Sequence, residues 1–91
     1  MTIKELKKIL IDEKINPNSY EIEGSDYLRG YDGFIILKGD NGKWMLYYME
    51  RGEKNVLSTH NNQHEVCIAF LEVMARGDKQ LKKYIPQSEI A

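Results

Sequence analysis

One cysteine, two prolines and no long apolar run stand among these 91 residues, and each scarcity excludes something. With Cys67 alone there is no internal disulfide, which fits a reducing compartment. No apolar stretch approaches the roughly 18 residues of a membrane span. The opening "MTIKELKKIL" also lacks the apolar region and small-residue cleavage site of a signal peptide, so the expected location is cytoplasmic. Excess charge is scarce too: the net value is −1 and the pI about 6.1, so no global field draws nucleic acid. There is no repeat, low-complexity tract or linker. Hydrophobic residues make up 42%, enough for a packed core, and the length suits a single domain.

What is present is clearly punctuated. "TIKE" predicts a helix start, with Thr2 as cap and Glu5 completing a capping box. Ile3, Leu6, Ile9 and Leu10 recur at helical spacing, and Asn16-Pro17-Asn18 stops the pattern. "SYEIEG" alternates Tyr20 and Ile22 with Glu21 and Glu23, a short strand with one wet face. "GSDYLRGYDG" reads as a loop or an irregular edge. In "FIILKGDNGKWMLYYMER", Asn41-Gly42 has the residue types of a two-residue hairpin turn, which pairs Asp40 with Lys43, Leu37 with Leu46 and Ile35 with Tyr48. "RGEKN" then turns the chain and "VLSTH" is a further strand. Asn62 and Glu65 cap a second helix, broadly apolar from Val66 to Met74 with Glu65, Glu72 and Arg76 as its polar stripe. Gly77 ends it, and Leu81, Tyr84 and Ile85 pin a short basic segment. The expected fold is α+β: an N-terminal helix, a three- to four-stranded antiparallel β-meander and a C-terminal helix in one small domain, residues 1–91.

"KWMLYYMERG" raises the functional question, because it is apolar or aromatic on both faces. Ile35, Leu37, Trp44, Leu46 and Tyr48 share one face, read as the core side since Lys38 and Arg51 mark the other as nearer water. Met45, Tyr47 and Met49 would then be available for contact, unless the two helices cover opposite faces of the sheet.

Catalytic signatures are sparse. His60, His64 and Cys67 have a spacing compatible with a thiolate–imidazole pair or half a zinc site, but no further ligands follow at a recognisable spacing. Cys67 occupies an apolar helix position, as a small buried residue does. No phosphate-cradling loop and no evident acid–base pair is present. The expectation is a non-enzyme without cofactor or metal. The order helix, three strands, helix also resembles double-stranded-RNA-binding domains, the alternative reading. Those contact phosphates through lysines at the start of the last helix, where this chain has "NNQHEV".

A second resemblance spans about residues 3–75. A strand of the form W-x-(aliphatic)-Y-Y, then E-R-G, a short strand, and a helix opening with an E-A-C-like triplet is similar to small bacterial immunity proteins. Trp44, Leu46, Tyr47, Tyr48, Glu50, Arg51 and Gly52 carry the first part, and Glu65 and Cys67 the second. His60 stands where that pattern has an aromatic, and Val66 where it has alanine. The resemblance implies a cytoplasmic inhibitor from a polymorphic-toxin or contact-dependent growth inhibition system, one that binds a cognate toxin domain and covers its active site.

The expected contact is the acidic loop Gly24–Gly33, chiefly Asp26, Tyr27, Tyr31 and Asp32, extended by Tyr47 and Met49. Tyrosines there can anchor while serine, glycine and aspartate adapt, and the acids suit a basic nuclease. Glu50 and Arg51 can equally shape the turn at Gly52. A homodimer through the Met45–Met49 face is a third arrangement.

Overall fold

The computed structural model describes residues 1–23 and 33–86. Helix α1 (Ile3–Asp12) begins with the capping box: the Glu5 N–H donates to Thr2 Oγ1 at 3.2 Å, and the Thr2 N–H donates to Glu5 Oε1 at 3.2 Å. It ends before the asparagine–proline signal, Lys14 taking a left-handed φ of 56°. A 3₁₀ turn, Pro17–Ser19, leads into β1 (Tyr20–Ile22). Strands β2 (Phe34–Asp40), β3 (Lys43–Glu50) and β4 (Glu53–His60) follow, then α2 (Gln63–Met74) and a 3₁₀ segment, Lys79–Tyr84.

The sheet order is β1-β2-β3-β4. Asn41 and Gly42, at φ 50° and 79°, make the expected tight turn, and the β2–β3 register matches the expected pairing, Asp40 to Lys43 through Phe34 to Met49. The second turn is tighter than expected. Arg51 and Gly52 alone form it, at φ 51° and 77°, so "EKN" belongs to β4 and Glu50 pairs with Glu53. The meander is corrected at its first strand, because β1 runs parallel to β2, with Tyr20 opposite Ile35. Parallel neighbours need a return connection rather than a hairpin, and the interval from Glu23 to Gly33 has the length for one.

Both helices pack on one face, so the opposite-face alternative does not hold. Leu6 and Leu10 from α1, Ile35, Leu37 and Leu46 from the sheet, and Val66, Phe70 and Leu71 from α2 share one core. Leu81 and Ile85 join it, pinning the 3₁₀ segment as expected. The other sheet face is not open as expected. Phe34 and Ile36 are 1% exposed, Tyr47 and Met49 6%, and Met45 packs against this second cluster. Glu21 is also buried, which corrects the wet face assigned to β1: its register partner is Ile36, on that same covered side. No helix among the described residues is long and apolar enough to cross a membrane.

Candidate functional site

Among the described residues, a groove with mixed apolar and polar lining follows the seam between α2 and β4. Helix α2 lies over both β3 and β4, the latter being the sheet edge. The groove, of about 550 Å³, is floored by Leu46 and Tyr48 of β3. Leu57, Ser58 and His60 line it from β4, Ala69, Glu72 and Val73 from α2, and Arg76 from the turn that follows the helix. A shallower hollow of about 310 Å³ continues it past His60, Glu65 and Ile68.

Local irregularity shapes this seam. Leu46 pairs with Ser58 but Tyr47 with Val56, so Leu57 is an extra residue, a β-bulge. The bulge explains why Leu57 and Ser58, although adjacent, both line the groove. Val56 and Leu57 are 58% and 45% exposed, the two exposed large hydrophobics of the sheet. His60 Nε2 pairs with Ser58 Oγ at 2.7 Å, and its Nδ1 lies 3.7 Å from Glu65 Oε1. Thus His60 bridges strand and helix instead of standing at the open surface.

Most of the motif residues take structural positions. Trp44 and Tyr48 are half-buried against the main core. Glu50, Arg51 and Gly52 build the β3–β4 turn. Glu65 is held by the cap of α2: Asn62 Oδ1 accepts from the Glu65 N–H at 2.9 Å, while Asn62 Nδ2 donates to Glu65 Oε2 at 2.8 Å. Cys67 is fully buried, and burial pushes its thiol up to about 11, far from the thiolate a nucleophile or metal ligand needs. Among the described residues no group of three or more His, Cys, Asp or Glu side chains could hold a metal ion.

The start of α2, where an RNA-binding domain would contact phosphate, is engaged within the chain. Gln63 Oε1 accepts from the Ile3 N–H at 3.1 Å, and the Met1 amino group lies 2.6 Å from His64 Nδ1. Asp26, Tyr27, Tyr31 and Asp32 lie outside the described residues. Tyr47 and Met49 do not form the open patch assigned to them, because both sit in the second cluster. The groove was missed from sequence. Its signal was the adjacent pair Val56-Leu57, which breaks strand alternation as a bulge does.

No protein-family model matches the chain, and neither the curated proteins nor the solved structures contain a significant match.

Proposed function

We propose that this chain is an immunity protein, which binds a cognate bacterial toxin domain and neutralises it by covering its active site. The ordered motif carries the reading. Trp44, Tyr47, Tyr48, Glu50, Arg51 and Gly52, then Glu65 and Cys67, fall on one continuous β3–turn–β4–α2 unit. That unit has a half-open flank of mixed apolar and polar side chains, a composition suited to a protein partner. Its action is binding rather than catalysis, and the toxin is a nuclease. The primary contact is the acidic segment bearing Asp26, Tyr27, Tyr31 and Asp32, whose charge complements a phosphate-binding surface.

The test is co-expression with the product of the reading frame immediately upstream. That product should arrest growth alone, be silenced by this chain and co-purify with it. A harmless product, or no complex, removes the proposal. Within a complex, alanine at Tyr27 or Tyr31 should cost about 2 kcal/mol or more, roughly a 30-fold loss of affinity. Lysine at Asp26 or Asp32 should mainly slow association and flatten its salt dependence. Wild-type binding by all four variants would show that segment 24–33 is only a connection.

A further inference from the structure

Strand β4 is an eight-residue edge carrying two exposed apolar side chains at its centre, an arrangement that sheet proteins ordinarily protect. Hydrogen-bond alternation shows which backbone groups it offers. A two-residue turn makes the flanking residues Glu50 and Glu53 a bonded pair, so Tyr48–Asn55 is bonded and Tyr47–Val56 is not. The bulge at Leu57 resets the count, leaving Leu46–Ser58 bonded and Met45–Thr59 not. The β2–β3 register gives the same phase independently, since it assigns the odd residues of β3 to β2 and the even ones to β4. The backbone groups of Val56 and Thr59 therefore point outward from the sheet.

We propose that β4 pairs antiparallel with β4 of a second copy of this chain, about a two-fold axis through the bulge, making one continuous eight-stranded sheet. The occupant follows from self-complementarity, as an isologous contact requires. Because the bulge lies between them, Val56 and Thr59 occupy successive outward-bonding positions. Two-fold pairing sets Val56 opposite Thr59 of the second copy twice over, a β-branched couple on one sheet face. On the groove side Leu57 of each copy flanks the axis, so the two exposed leucines meet, and Asn55 faces His60 of the second copy. No like charges oppose one another between Asn55 and His60. Helix α2 packs on one face of the sheet, against β3 and β4, and leaves β4 as the outer strand. The two grooves then join into one trough along the shared edge. This dimer is distinct from one through Tyr47 and Met49, which are buried.

Sedimentation velocity of the full 91-residue chain over a dilution series tests it, against a chain mass of 10.6 kDa. The expected result is a monomer–dimer equilibrium, with amide exchange at Val56 and Thr59 slowing as concentration rises. The double variant V56K/L57K should weaken association at least about tenfold, equivalent to about 1.4 kcal/mol. Its circular dichroism should match wild type, since both side chains are exposed. Ile11→Lys serves as the control, because Ile11 is 72% exposed but lies on α1, and it should leave the dimer intact. A chain that stays monomeric throughout overturns the proposal, as does a dimer insensitive to V56K/L57K or equally weakened by Ile11→Lys. Should V56K/L57K unfold, the wild-type exchange decides: concentration-independent rates at Val56 and Thr59 reject the pairing.

Discussion

Cys67 shows how position overrides residue type. A thiol three residues beyond a histidine suggests reactivity, but complete burial raises its pKa to about 11, so roughly one thiol in a thousand would be ionised at pH 8. Native protein should be inert to a disulfide reagent such as Ellman's at that pH, and denatured protein should release one equivalent; rapid native labelling would contradict this burial. The folded state favours the neutral thiol, so this contribution to stability is complete below the ordinary value of 9.0 and is lost as pH climbs toward 11. Gly42 makes a contrasting case. Its φ of 79° requires the left-handed region, while a Cβ there would meet nothing within 4 Å. Gly42→Ala should therefore cost about 1 kcal/mol through backbone strain alone, read as a lower unfolding midpoint with an unchanged denaturant slope.

Among the elements, the ends of the helices are secured by different means. Helix α2 depends on Asn62, which accepts from the Glu65 N–H, so Asn62→Ala should cost about 1 kcal/mol in chemical denaturation. The 3₁₀ segment Lys79–Tyr84 is tied to the end of α1 by Glu13. Tyr84 Oη donates to Glu13 Oε2 at 2.6 Å, and Lys83 Nζ lies 3.1 Å from the same oxygen. The Tyr84 hydrogen bond, then the Lys83 ammonium, hold the Glu13 carboxyl below its ordinary 4.5. A depressed carboxyl stabilises the fold above its unfolded pKa and loses that contribution as pH falls through the lower folded value. Wild type should thus melt above Glu13→Gln at neutral pH, and the gap should close as pH drops below 4.5. A gap constant from neutral to acid pH would show that the carboxylate charge contributes nothing.

For the whole molecule, the consequence of burying both faces of a small sheet is a low tolerance for core loss. A domain of 91 residues has a stability of order 5–14 kcal/mol. Phe70 is fully buried and meets the Tyr20 ring edge-to-face with centroids 6.0 Å apart. Phe70→Ala should cost about 3–5 kcal/mol, a large share of the total, and appear as a much lower melting temperature. Tyr47→Ala should also lower stability, because Tyr47 belongs to the second cluster and lies beneath the Lys54 ammonium, 4.6 Å from its ring centroid. A Tyr47→Ala protein with an unchanged melt would return that residue to the open surface.

Local information determined the two capped helices, the Asn41-Gly42 turn with its register, and the membership of the helix-side core. Each depends on residues close in sequence: Thr2 with Glu5, Asn62 with Glu65, and period-2 alternation away from one turn. The candidate groove was not expected from the sequence, although the polar stripe of α2 and the irregular Val56-Leu57 step both lie along it. Tertiary structure decided the parallel placement of β1, the burial of Glu21, Tyr47 and Met49, and the side on which both helices lie. Periodicity shows that a strand has two faces. Which of them is covered depends on segments distant in sequence, whose packing no local pattern encodes.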